Sequence, residues 1–226
     1  MEQMKRFAVY YAPRPGAFAA RANEWLGWDP NTGHALPHAV VPGIDDPAAI
    51  TVDPRRYGFH GTIRAPFRLD AGVTPEEAAA TVADLAGRRA PVSCEALALE
   101  NLHGFLALTP TGCEAALLEL GAAVVRATNP LRAALTPAEI ARRRPETLSS
   151  RQRVLMETWG YPFVMEEFRF HLTLTDRLTD RAPAMAALAA HFAPVLPRPF
   201  VIEDLCLFGE DAGGRFHLLH RYALTG

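Results

Sequence analysis

Apolar residues recur along the chain with two alternating periods, two and about 3.6, and the switches between them mark the elements. Arg6-Phe7-Ala8-Val9-Tyr10-Tyr11 reads as a first strand. A helix from Phe18 to Trp28 follows, and a loop of Pro, Gly and Asp then runs to about Asp53. From Tyr57 a strand continues through Phe67, and Thr74-Pro75-Glu76-Glu77 opens a helix. There Thr74 caps, Pro75 suits the first turn and Glu77 completes a capping box. Strands are expected at Val92 to Leu99 and Gly104 to Thr109, with Asn101-Leu102-His103-Gly104 as a hairpin connection.

The same order returns later. A strand from Phe168 to Thr175 precedes an alanine-rich helix from Ala184 to Phe192, then strands Phe200 to Phe208 and Arg215 to Tyr222, the last two joined by Glu210-Asp211-Ala212-Gly213-Gly214. Gly104 lies 44 residues beyond His60, and Arg215 lies 44 beyond His171, so the chain reads as a divergent duplication. The fold expected is α+β: two small antiparallel sheets related by a pseudo-twofold, with flanking helices and a central groove. The domain expected is a single bilobal unit, 1–226, with repeats at roughly 53–110 and 165–224 and a helical insertion at about 113–160. The insertion holds helices at Glu114 to Thr128, Pro137 to Arg144 and Ser149 to Trp159, with no counterpart in either repeat. Its Arg142-Arg143-Arg144 and Arg151-Gln152-Arg153 clusters could reach over a phosphate, although charge runs on helices are ordinarily solvated faces.

Composition narrows the function. With 49% hydrophobic and 21% charged residues the chain has an ordinary globular make-up. A formal net charge of -2 argues against a general electrostatic grip on nucleic acid, so an anionic ligand has to be held locally. Cys94, Cys113 and Cys206 are odd in number and without CxxC spacing, which suggests reduced core thiols. No stretch approaches the roughly 20 apolar residues of a membrane span, and Phe7 to Ala12 is too short for a secretory core, so a cytoplasmic protein is expected.

Two triplets carry candidate chemistry, His60-Gly61-Thr62 and His171-Leu172-Thr173. One His-x-Thr alone means little, since about half of one is expected by chance at this composition. Context changes the odds. In the first strand period two sends Tyr57, Phe59 and Ile63 to one face and His60, Thr62 and Arg64 to the other. In the second, Phe168, Phe170, Leu172 and Leu174 are apolar, while Arg169, His171, Thr173 and Thr175 share the polar face. Polar faces brought together by a pseudo-twofold would place two imidazoles and two hydroxyls around one volume: an acid and base pair with a phosphate cradle.

Tyr57-Gly58-Phe59-His60-Gly61-Thr62-Ile63-Arg64-Ala65-Pro66-Phe67-Arg68-Leu69, Trp159-Gly160-Tyr161-Pro162-Phe163 and Phe168-Arg169-Phe170-His171 together resemble the two-histidine (2H) phosphoesterase superfamily, in its bacterial branch of phosphonate-metabolism proteins. The resemblance implies a bilobal fold with a central groove, no metal or other cofactor, and hydrolysis or transesterification of a small cyclic phosphate or phosphodiester. The branch pattern carries lysine where this chain has Arg64, which keeps the charge and alters the geometry. On this reading His60 and His171 are catalytic, and Thr62, Thr173, Arg64, Tyr57 and Arg169 bind substrate. The partner is a small phosphorylated molecule or an RNA end, and no membrane is involved.

The other histidines fit structural roles. His34 and His38 lie in a Gly/Pro-rich loop without helical presentation, His103 belongs to a turn and His191 to a helix. His217 and His220 fall on opposite faces of the last strand. No metal-ligand cluster, Gly-x-Ser-x-Gly elbow, Walker loop or dinucleotide fingerprint is present. The competing class is a binding module that keeps the phosphate cradle for a nucleotide or RNA end without turnover, but a mere binder has no need of paired acid and base.

Overall fold

β1 (Arg6–Tyr11) is buried on both faces from Phe7 onward in the computed structural model, which describes residues 4–226. Such two-sided burial belongs to a strand inside a sheet, flanked by partners on both edges. After it come α1 (Ala17–Leu26), the short pair β2 (Trp28–Asp29) and β3 (His34–Ala35), α2 (Val52–Tyr57) and β4 (Gly61–Phe67). α3 (Pro75–Ala86), β5 (Val92–Cys94), β6 (Ala96–Leu102), β7 (Phe105–Thr111) and α4 (Glu114–Thr128) follow. α5 (Pro137–Arg142), α6 (Ser150–Trp159), β8 (Leu172–Thr173), α7 (Ala182–Phe192), β9 (Phe200–Ile202), β10 (Asp204–Glu210) and β11 (Phe216–Ala223) complete the order. α3 starts at the capping box read from the sequence, with the Thr74 hydroxyl accepting from Glu77 N–H and the Glu77 carboxylate accepting from Thr74 N–H.

The architecture is α+β with antiparallel pairing throughout. Strands run in the order β11-β10-β1-β4-β8-β7-β6, and β5 pairs with β9 in a separate two-stranded ladder. The two halves meet at one Cα pair between β4 and β8, Gly61 opposite Leu172, which makes them edge-to-edge continuous. Matching β1 with β7, β4 with β8, β5 with β9 and β6 with β10 makes this order palindromic about the β4–β8 joint, with β11 added outside. The repeat boundaries therefore differ from the sequence reading. β1 and α1 belong to the first unit, and α4, following β7 as α1 follows β1, has a counterpart and is not part of an insertion. The helices outside this matching are α2, in the α1–β4 connection, and α5 and α6, in the α4–β8 connection.

The expectation of three reduced thiols is corrected as well. Cys94 and Cys113 form a disulfide with Cα atoms 4.9 Å apart, and Cys206 is free and buried. The cause is the β6–β7 hairpin, in which Ala96 faces Thr111, so the residues just outside its two legs are returned to each other. The core runs along the sheet. Trp25 of α1 is fully buried and donates its indole N–H to the Leu174 carbonyl at 2.8 Å, which ties the first unit's helix to the end of β8. Among the described residues no helix is long and apolar enough to cross a membrane.

Candidate active site

The strand expected from Tyr57 begins only at Gly61, because α2 occupies Val52–Tyr57 and Gly58 breaks the chain direction. Gly58 takes φ 72°, a region that side chains avoid, and a Cβ there would lie 2.6 Å from Pro30 Cγ. This turn aims the Gly58 carbonyl at His60, whose Nδ1–H donates to it at 2.9 Å. A carbonyl only accepts, so Nδ1 holds the proton of the neutral ring and Nε2 keeps its lone pair. The Thr62 hydroxyl donates to that Nε2 at 3.1 Å. The ring rests on Tyr10 at a centroid distance of 4.0 Å. Burial lowers the His60 pKa to about 4; the Gly58 bond opposes the shift, and the nearby His171 adds to it.

The second motif repeats the device. His171 Nδ1–H donates to the Arg169 carbonyl at 2.8 Å, which again leaves Nε2 as the free base nitrogen. Its ring lies 5.5 Å from that of Phe105, and burial holds its pKa below the ordinary histidine value. With Gly61 opposite Leu172 in antiparallel register, one step along each strand sets His60 beside Thr173 and Thr62 beside His171. All four side chains then share the face opposite to Leu172.

Beneath them is a cavity of about 690 Å³, and Tyr57, His60, Thr62 and Thr173 line it. His171 does not form part of this wall, but Phe105, on which it packs, does. Two expected contributors lie elsewhere. Arg64 is 1% exposed, stacks over Phe67 and donates to the Trp159 carbonyl. The reason is a register shift between β1 and β4: Tyr10 faces Thr62 but Val9 faces Arg64 and Phe7 faces Phe67. Such irregularities re-aim side chains, and Ala65 and Pro66 take the cavity side instead. Arg169 folds back onto the Glu166 and Phe168 carbonyls of its own turn and does not line the cavity.

The structure also brings in residues that the motif did not reveal. Arg6 and Tyr10 of β1 line the cavity, and their even spacing on a strand was the available signal. Arg142 and Arg143, for which the sequence offered both a phosphate contact and a solvated helix face, line it too, together with Tyr161. Arg151 instead pairs with Glu166 at the surface, and Arg153 holds the Leu148 carbonyl. Among the described residues no group of three or more His, Cys, Asp or Glu side chains could hold a metal ion.

Residues 62–217 match the family model described as Protein of unknown function (DUF1045). Two curated relatives are called ribose 1,5-bisphosphate phosphokinase PhnN. That of Janthinobacterium sp. (strain Marseille) is 34% identical over 228 residues, and that of Laribacter hongkongensis (strain HLHK9) is 38% identical over 219. Each alignment takes in 94% of this chain but 49% and 50% of the relative, so the chain spans about half the length of the curated relatives it matches. Among solved structures, E. coli LigT complexed with 3'-AMP is 16% identical, covering 99% of this chain and all of that one, with a TM-score of 0.46. TT0787 of Thermus thermophilus is 15% identical over 98% of both chains, also with a TM-score of 0.46. The family model takes in well over half of the sequence, and the chain belongs to the family described as Protein of unknown function (DUF1045).

Proposed function

We propose that this chain is a phosphoesterase of the two-histidine kind, acting without a metal on a small cyclic phosphate or phosphodiester, in phosphonate metabolism. The observation that carries the reading is the Gly61–Leu172 pairing, with His60, Thr62, His171 and Thr173 on one face of two adjoining strands. Hydrolysis of a phosphodiester needs a base for the attacking water or hydroxyl and an acid for the departing oxygen. His60, the ring held neutral to about pH 4, is the base through Nε2. His171 is the acid, its proton carried on Nε2 while Nδ1 stays on the Arg169 carbonyl. On substrate binding the Thr62 hydroxyl turns from His60 Nε2 to a non-bridging oxygen, which frees that nitrogen as the base, and Thr173 donates to another.

The relatives' name supports a phosphorylated ribose as substrate. Their kinase chemistry would reside in the half that this chain does not span. The chain has a single lysine, Lys5, and no Gly-x-x-x-x-Gly-Lys-Ser/Thr run to cradle a nucleoside triphosphate. The test is incubation with 2′,3′-cyclic nucleotides and cyclic ribose phosphates in excess chelator, with ring-opened monoester as the expected product. Loss of turnover in chelator with recovery on adding zinc or manganese would remove the metal-free mechanism. Tight binding with no product would instead indicate a module for nucleotides or RNA ends.

Thr62→Val and Thr173→Val keep side-chain shape and remove one hydrogen bond to a charged group, about 1.5 to 3 kcal/mol. That corresponds to roughly 10- to 150-fold in kcat/KM. A loss of less than twofold would take the hydroxyls out of the phosphate cradle.

The pH dependence follows from the two depressed pKa values. His60 is in its working, neutral form above about pH 4. His171 is in its working, protonated form below a pKa that burial has lowered from the usual 6.5. The profile of kcat/KM, which reports the free protein, should peak in the window between them, on the acid side of 6.5. A bound phosphate favours the imidazolium, so the alkaline limb of kcat should lie higher. A kcat/KM profile whose alkaline limb lies well above 6.5 would show that His171 is not the acid.

A further inference from the structure

Between β4 and the chain that runs from the end of α4 through α6 lies a second, much smaller cavity, of about 10 Å³. Among the described residues its wall carries four guanidinium groups, those of Arg64, Arg68, Arg132 and Arg143, against one carboxylate, that of Glu139. That carboxylate is already engaged. It accepts two bonds from Arg68 at 3.1 and 3.0 Å, and the Thr136 N–H at 2.8 Å in the capping box of α5.

Arg64 is the cation left over. It is buried, and its Nη1 donates to the Trp159 carbonyl at 2.9 Å. Its Nε and Nη2 are buried as well and have no partner in the protein. Burial lowers its pKa to about 9, with Arg132 and Arg143 adding to the shift, so the group stays charged at neutral pH. Among the described residues none of Arg64, Arg132 and Arg143 has a carboxylate within ion-pair distance. Arg132 bonds the Asn129 side chain and the Ala133 carbonyl, and Arg143 the Glu139 carbonyl, acceptors that bring no net charge. Arg143 Nε, too, is buried without a partner.

A buried cation needs an anion beside it, and like charges around it deepen that need. A water molecule would meet one donor and leave the charge as it is. The cavity has the room of roughly one water-sized body, which suits a monoatomic anion and is too small for tetrahedral phosphate or sulfate.

We propose that this cavity binds one chloride ion, taken by Nε and Nη2 of Arg64 and faced by Arg132 and Arg143, and that the ion fastens α5 and α6 to β4. Arg64 reaches it from the sheet, Arg132 from the segment after α4 and Arg143 from the end of α5, so three elements distant in sequence share one counter-charge. The site is separate from the catalytic one. None of His60, Thr62, His171 and Thr173 lines it, and Arg64 does not line the larger cavity, although Arg143 borders both. The ion takes no part in the phosphoesterase reading, and its test needs no substrate.

After dialysis into sodium gluconate, chloride or bromide is titrated in at constant ionic strength, and Tm is read for the wild type, R64M and R142Q. At saturating halide the wild type should gain about 5 to 10 °C. R64M keeps an apolar stem and drops the charge, and its Tm should not follow halide beyond a general salt effect, which the shared salts cancel. Sulfate should raise the two proteins equally. R142Q, altered in the larger cavity, should keep the full halide gain. If R64M folds poorly, bromide soaked into wild-type crystals keeps the test open, with an anomalous peak expected within hydrogen-bond reach of Arg64 Nε or Nη2. Equal halide gains in the wild type and R64M, or a gain lost in R142Q and kept in R64M, overturn the proposal. So does bromide found only elsewhere, or a peak at Arg64 without any gain in Tm, which would be an adventitious ion only.

Discussion

His60→Ala and His171→Ala should each lower turnover of the diester by about 10²- to 10⁴-fold, the usual contribution of a positioned acid or base. Each ring is set in place by a single backbone acceptor two residues earlier, Gly58 for His60 and Arg169 for His171, so each presents Nε2 to the substrate. Because the two rings would serve one transition state, the double variant should lose less than the product of the single losses. His60→Ala should also abolish the acid limb of the kcat/KM profile, and His171→Ala the alkaline limb. Either alanine variant working at the wild-type rate would show that the ring is not a catalyst, and the binding-module reading would then take over.

Gly61→Ala is the second large effect, and it tests the frame. A Cβ at Gly61 would lie 2.2 Å from Phe170 Cζ and 2.6 Å from Cε2. The ring cannot swing aside freely, since Phe170 is 6% exposed and packs near Tyr11 and Phe200. Overpacking of this kind costs about 1 to 3 kcal/mol. For a chain of this size that is on the order of 2 to 4 °C in Tm per kcal/mol. Activity should fall further than stability implies, because Gly61 is at the joint between β4 and β8 and Phe170 immediately precedes His171. Phe170→Leu in the Gly61→Ala background should restore part of both quantities. A Gly61→Ala protein with unchanged Tm and unchanged kcat/KM would mean that the two strands do not need this close approach.

Much of this was legible in the chain because it depends on local chemistry. The α3 start follows from Thr74, Pro75 and Glu77 wherever the helix is placed, and the Asn101–Gly104 turn follows from the conformations those residues tolerate. Period two also placed each histidine in phase with its threonine. Arg64 escaped the same rule because the shift between β1 and β4 is a property of the pair of strands and leaves no trace in either one alone. Likewise Gly58 and Gly61 are ordinary glycines in the sequence. Only the neighbours Pro30 and Phe170, 28 and 109 residues away, show why a side chain is excluded there.

Hydrophobic period and capping act over a few residues, so the α+β class and the shared phase of the two His-x-Thr motifs are already written in the order of the amino acids. Which segments are equivalent is settled only in the folded molecule, because β1 matches β7 only through the order in which strands pair. Folding also made the Cys94–Cys113 bond through the return of a hairpin, and it brought Arg6, Tyr10, Arg142 and Arg143 to one cavity from segments more than 130 residues apart. Those are contacts of long sequence separation. Which partners meet is set by the burial of the whole apolar set at once, and no local window of the chain contains that information.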